Sequence, residues 1–187
     1  LELLNDFDKS IVFATGPAGC GKSYIATLYA IQQLRAGEIK KIVVTRPLVA
    51  NGENIGALPG DLMAKLAPWC VPVLDIFKEV YPVNTVKRML EDETIELASL
   101  GLMRGRTFKN TIVIGDEMQN ATADQVKMLL TRIGEGSRMI ITGDIRQHDR
   151  MMGDNGLKDI LSRLDHTDVA GVDVVRFDKK DIERHPV

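Results

Sequence analysis

Apolar residues follow two alternating rhythms along the chain. Compact runs appear at Ile11-Val12-Phe13-Ala14, Lys41-Ile42-Val43-Val44-Thr45, Thr111-Ile112-Val113-Ile114-Gly115, Arg138-Met139-Ile140-Ile141-Thr142 and Val172-Asp173-Val174-Val175. Ile95-Glu96-Leu97-Ala98 is a weaker sixth. Short apolar runs of this kind, bounded by Gly and polar residues, predict buried strands. Between them the period changes. Tyr24, Leu28, Ile31 and Leu34 recur at helical spacing and stop at Gly37, and Leu157, Ile160, Leu161 and Leu164 form a second such stripe. Thr122 and Gln125 make a capping-box pattern that opens a helix running to Ile133, before Gly134. Ala64 to Tyr81 predicts two helical pieces broken at Pro68 and Pro72, and Val86 to Glu91 a short helix. Arg46 to Gly60, with two prolines and three glycines, predicts an irregular loop of a length that usually serves function.

Strands that alternate with helices imply a parallel sheet with right-handed crossovers, hence a three-layer α/β domain with helices on both faces. The chain of 187 residues reads as a single domain over 1–187. Ligands in such sheets sit at the carboxyl ends of the strands. Three polar segments fall there.

The first is Gly16-Pro17-Ala18-Gly19-Cys20-Gly21-Lys22-Ser23, followed by Tyr24 at the start of a helical stripe. This is the phosphate-binding loop pattern, with a strand leading in and a helix leading out. Its glycines allow positive φ and leave no Cβ between the amides and a phosphate oxygen, while the helix N-terminus adds partial positive charge. Lys22 is expected to reach the β- and γ-phosphates, and the Ser23 hydroxyl to ligate Mg²⁺. The second segment is Asp116-Glu117, at the end of an apolar strand. Asp116 is expected to hold Mg²⁺ through its water shell, and Glu117 to polarise the attacking water. A residue that activates water beside the γ-phosphate disfavours a small-molecule kinase. The third is Gly143-Asp144-Ile145-Arg146-Gln147, where Gln147 is placed to sense the γ-phosphate or orient water.

Charge narrows the partners. Lys and Arg number 24 against 26 Asp and Glu, a net charge of −2, so any nucleic-acid contact must rest on a local patch. Tyr81, Trp69 and Phe108 are the candidate base stackers outside the phosphate-loop unit, with core packing the stronger expectation for Trp69. Two cysteines, one inside the phosphate loop, point to a reducing cytoplasm, and no apolar run approaches the roughly 18 residues of a membrane span.

With these residues assembled, the chain resembles the PhoH family of ATPases. The phosphate loop resembles the family's, as do Thr45-Arg46-Pro47 with Gly52-Glu53 and Leu58-Pro59-Gly60, Met103-Arg104-Gly105-Arg106-Thr107, Asp116-Glu117-Met118-Gln119-Asn120, Thr142-Gly143-Asp144 with Gln147, and Arg184-His185-Pro186-Val187. Asp116-Glu117-Met118-Gln119 and Gly143-Asp144-Ile145-Arg146-Gln147 are also similar to motifs of superfamily 1 helicases. The resemblance implies a RecA-like fold, ATP and Mg²⁺ as cofactors, and hydrolysis coupled to RNA or single-stranded nucleic acid. Those helicases complete the site with an arginine from a second RecA-like half. Here it implies a homo-oligomeric ring, such as a hexamer, in which a neighbour supplies Arg184, Arg104, Arg106 or Arg46. Arg184 is the expected catalytic one; Arg46, Arg104 and Arg106 are candidates for nucleic-acid or inter-subunit contact. Cys20 replaces a frequent Thr, and Gly115 replaces a larger apolar residue, which is expected to loosen that strand end. An alternative reading is an ATP-gated switch or assembly module acting on a protein partner without nucleic acid, which the near-neutral charge suits.

Overall fold

The computed structural model of the chain describes residues 2–6, 8–47, 62–147 and 155–182, with side chains at 4–6, 8–47, 71–147 and 155–182. The strands are β1 (Ile11–Thr15), β2 (Lys41–Arg46), β3 (Ile95–Ser99), β4 (Thr111–Gly115), β5 (Arg138–Gly143) and β6 (Val172–Arg176). Among the described residues they form one parallel sheet in the order β3-β2-β4-β5-β1-β6. All five residues of β4 are buried. A strand covered on both faces needs apolar residues on both, which is why it reads as an unbroken run rather than as alternation.

The helices are α1 (Glu2–Asn5), α2 (Lys22–Ala36), α3 (Leu62–Val80), α4 (Val83–Glu91), α5 (Ala123–Leu130) and α6 (Gly156–Leu164). Alternate strand residues feed two cores. On one face Ile42, Val44, Ile112 and Ile114 pack with Tyr29 and Ile31 of α2, Val73 and Phe77 of α3 and Val86 of α4. On the other, Val43, Val113, Met139 and Ile141 pack with Val126 and Leu129 of α5 and Leu157 and Leu161 of α6. These two cores make the expected three layers. No described helix is long and apolar enough to cross a membrane.

Local signals act as expected at several ends. α2 stops at Gly37, whose φ of 78° lets the Glu38 N–H reach Gln33 O at 3.1 Å. The Thr122–Gln125 box forms in both directions, at 3.3 and 2.9 Å. Tertiary pairing corrects the helix it opens. α5 ends at Leu130, not Ile133, because the next residues align with a neighbouring segment, Phe108 N donating to Arg132 O and Asn110 N to Glu135 O.

The expected break in the third helix is also corrected, since α3 runs unbroken through Pro68 and Pro72. Pro72 is exposed, while Val73, Ile76 and Phe77 are buried. The proline therefore lies on the solvent side, where a missing N–H is tolerated best. α4 begins three residues earlier than expected, at Val83, with Pro82 O accepting the N–H groups of Thr85 and Val86. The loosened end of β4 does not occur. A Cβ on Gly115 would lie 3.0 Å from Ile141 Cδ1, 3.2 Å from Leu129 Cδ2 and 3.3 Å from Met118 Cγ, so neighbouring side chains already fill that space.

Candidate active site

The phosphate loop joins β1 to α2 and is anchored from both sides. Gly16 N donates to Gly143 O at 3.2 Å, and Phe177 N donates to Thr15 O at 2.7 Å. Gly16 has φ of 149°, and a Cβ there would sit 2.6 Å from Phe177 O, so both conformation and space require glycine. Gly19 and Gly21 have φ of 90° and 71°, which bends Pro17, Ala18 and Cys20 around the head of α2. Cys20 is buried and its Sγ approaches Asp178 O at 3.5 Å, so the thiol serves the seam with the chain after β6. Lys22 Nζ donates to Gly16 O and Pro17 O, both at 2.7 Å, and so stands across the mouth of the loop.

Strand order decides what faces this loop. β5 lies between β1 and β4, which brings Thr142 between the loop and the acid strand. Asp116, 5% exposed, accepts on Oδ1 from Ser23 Oγ and from Thr142 Oγ1, each at 2.6 Å, and its N–H donates to Thr45 O at 2.9 Å. Ser23 is 93 residues away in sequence. The fold thus assembles a carboxylate and two hydroxyls within hydrogen-bond reach.

Glu117 follows with φ of 53°, in the left-handed region that costs a non-glycine residue about 1 kcal/mol. This turn swings its side chain to the cleft before the single 3-10 turn Met118–Asn120. Its Oε2 accepts from Gln119 Nε2 at 2.5 Å, and its Oε1 lies 3.4 Å from Arg46 Nη2. Arg46 Nε is also 3.9 Å from Asp116 Oδ2. Gln119 is 1% exposed, and its Oε1 accepts from Asp144 N at 3.1 Å. It therefore ties the acid pair to the end of β5. Gln147, exposed, follows that end, with its N–H on Asp144 O at 3.0 Å. Gly21, Lys22, Ser23, Glu117, Thr142 and Gln147 all line one open cleft of about 270 Å³.

The donor set fits a magnesium ion. Ser23 and Asp116 offer hard oxygens beside the loop lysine, and among the described residues no three His, Cys, Asp or Glu cluster to form an all-protein cage. Mg²⁺ is usually held this way, by one or two protein oxygens plus phosphate and water.

The remaining candidates are spread more widely. Tyr24 borders the cleft and is 43% exposed; its hydroxyl donates to Glu79 Oε2 at 3.2 Å, and that carboxylate raises its pKa. Arg106 lies elsewhere. It forms a fork with Glu96 on β3, at 2.5 and 2.8 Å, and its guanidinium lies 4.8 Å from the Phe108 ring centroid. Lys41 Nζ adds a 2.6 Å contact to Glu96. Arg106 and then Lys41 hold the Glu96 carboxyl down at about 2. Phe108 is 4% exposed within the core, which corrects its place among the candidate base stackers. Arg104 is exposed just after the turn Leu100–Met103. Arg184, the Trp69 side chain and residues 48–61, which include most of the expected Arg46 to Gly60 loop, lie outside the described residues.

A family model described as PhoH-like protein matches residues 1–187, the whole of the chain. The chain belongs to the PhoH family. Its PhoH relatives include the "PhoH-like protein" of Bacillus subtilis (strain 168), 45% identical over 183 residues that cover 96% of this chain and 56% of the relative. "Protein PhoH" of Escherichia coli (strain K12) is 42% identical over 179 residues, 94% of this chain and 50% of the relative. The "PhoH-like protein" of Mycobacterium leprae (strain TN) is 41% identical over 175 residues, 90% and 50% respectively. The chain thus spans about half the length of the curated PhoH relatives it matches.

Membership and fold agree with the P-loop reading of the sequence. Two residues of the PhoH site, Gln119 and Thr142, have no role legible from sequence. Both stand inside recognisable motifs, but what each touches depends on where β5 runs. The spacing of Gln119 after the acid pair is the one signal that could have found it.

Proposed function

We propose that the chain binds Mg²⁺–ATP in this cleft and hydrolyses it. The observation that carries the reading is the meeting of the phosphate-loop Ser23 with Asp116 at 2.6 Å, with Glu117 turned into the same cleft. Lys22 and the loop amides would take the β- and γ-phosphates. Ser23 and Asp116 would hold magnesium, which would supply positive charge against the negative charge that develops on the phosphates. Glu117 would accept a proton from water as the water oxygen bonds to the γ-phosphorus and the bond to the ADP oxygen breaks, giving ADP and inorganic phosphate. A carboxylate has about four lone-pair positions, so contacts from Arg46 and Gln119 leave capacity for that water. Gln147, which lines the same cleft, would sense the γ-phosphate.

We further propose that hydrolysis drives remodelling of RNA or single-stranded nucleic acid by a homo-oligomeric ring in the cytoplasm, with a neighbour's arginine, Arg184 first, completing the site. Support comes from the helicase-like motifs at the ends of β4 and β5. Phosphate release from Mg²⁺–ATP, with and without saturating single-stranded RNA, tests both halves in the parent and in Glu117→Gln, with nucleotide binding measured in parallel. The variant is expected to keep binding and to lose about 100-fold or more in kcat. A parent that binds ATP yet releases no phosphate under either condition would make the ATP-gated switch the better reading. A kcat that RNA leaves unchanged would remove the remodelling half.

A further inference from the structure

A carboxylate taken out of water needs a compensating charge, and Asp116, 5% exposed, is followed directly by a second carboxylate, Glu117. Lys22 does not balance them, since its ammonium is held by the carbonyls of Gly16 and Pro17. Among the described residues, the ion pairs to both acids come from Arg46. It stands at the end of β2, next to β4 in the sheet, and so approaches the acids from the side opposite the phosphate loop. The Arg46 and Asp116 side chains are 24% and 8% exposed, which limits how far water can replace this balance.

We propose that Arg46 is the internal counter-ion of the acid pair and competes with a divalent cation for Asp116, so that the metal is admitted together with the phosphates of a nucleotide rather than alone. This rests on the proposed use of Ser23 and Asp116 as the magnesium pair. The physical chemistry favours the arginine against a free ion. A guanidinium is weakly hydrated and already tethered at the site, whereas Mg²⁺ dehydrates reluctantly and would exchange several waters for the few oxygens around Ser23 and Asp116. Phosphate oxygens reverse the balance by adding ligands and two or more negative charges. The separations of 3.4 and 3.9 Å exceed the roughly 2.7–2.9 Å of a charge-assisted hydrogen bond, so Arg46 neutralises the pair without clamping it.

The test measures metal binding directly. Mn²⁺ is titrated into the nucleotide-free chain, with the free ion followed by electron paramagnetic resonance. Arg46→Gln and Arg46→Met, two neutral variants checked for folding by circular dichroism, are expected to bind Mn²⁺ at least tenfold more tightly than the parent. Arg46→Lys should stay near the parent, and Arg46→Gln combined with Asp116→Asn should lose the gain. A folded neutral variant that binds Mn²⁺ no more tightly than the parent overturns the proposal. So does a gain that survives Asp116→Asn. Calorimetric titration of the parent with Mg²⁺–ATP reads the underlying function separately. If it shows no binding, the ATP reading fails, while the Mn²⁺ comparison still decides the role of Arg46.

Discussion

Replacing Gln119 by methionine isolates the link between Glu117, the proposed water-activating acid, and the end of β5. Methionine is unbranched and similar in size, so the 1%-exposed site stays filled and little cavity cost arises. Among the described residues, two hydrogen bonds go. The buried N–H of Asp144 loses its acceptor, at about 1–3 kcal/mol for an orphaned buried donor. Glu117 loses its 2.5 Å donor, but its side chain is 38% exposed and water can replace much of that bond, leaving about 0.5–1 kcal/mol. The sum is about 1.5–4 kcal/mol. For a domain of this size that lowers Tm by about 3–16 °C, readable by circular dichroism. With Glu117 released from one side, kcat for ATP should fall about 10- to 100-fold while nucleotide affinity holds. Gln119→Glu separates the two bonds. It keeps an acceptor for Asp144 N and opposes Glu117 with a second carboxylate, so it should also destabilise. Adding Glu117→Gln to that variant swaps the pair and should recover about 1 kcal/mol. A Gln119→Met protein melting within about 1 °C of the parent would refute the reasoning, because an orphaned buried amide cannot be that cheap.

Other outcomes follow from single contacts. Glu96 has its carboxyl pulled from 4.5 to about 2, so its ionised form stabilises the fold fully above about pH 4.5, and that contribution is lost as pH falls towards 2. Discounted for its partial exposure, Glu96→Gln should cost about 1–2 kcal/mol at pH 7, and melting curves of parent and variant should converge across that acid window. Gly16→Ala should abolish nucleotide binding in calorimetry, since its Cβ would meet a backbone oxygen at 2.6 Å in a conformation alanine resists. Gly115→Ala meets only side chains, at 3.0–3.3 Å, and should cost about 1–3 kcal/mol in thermal denaturation. Lys22→Ala should keep the parent's melting temperature to within a few degrees and weaken ATP binding by about 10- to 100-fold, the loss of one or two charge-assisted contacts.

The sequence by itself determined most of the elements and the motifs that line the cleft. β4 is legible because a strand buried on both faces must be apolar throughout, and α2 because its stripe and Gly37 obey local rules of period and capping. The phosphate loop is legible for a similar reason: the positive φ of Gly19 and Gly21 answers to the local backbone, although Gly16 also leaves room for Phe177 O across the fold. Tertiary structure decided what those rules do not reach. Pro72 signals a break, yet α3 continues because the proline faces water, and exposure is a property of packing. α5 ends early because residues 132–135 align with 108–110, a preference set across the fold. Arg46 is an arginine in a motif until β2 lies beside β4 and turns it onto Asp116 and Glu117. Gln119 meets Asp144 across 25 residues only because β5 runs between the loop strand and the acid strand. Periods and caps act over a few residues and can be read from them. Strand order is settled by the burial of the whole sheet, and it chooses which of the legible groups meet.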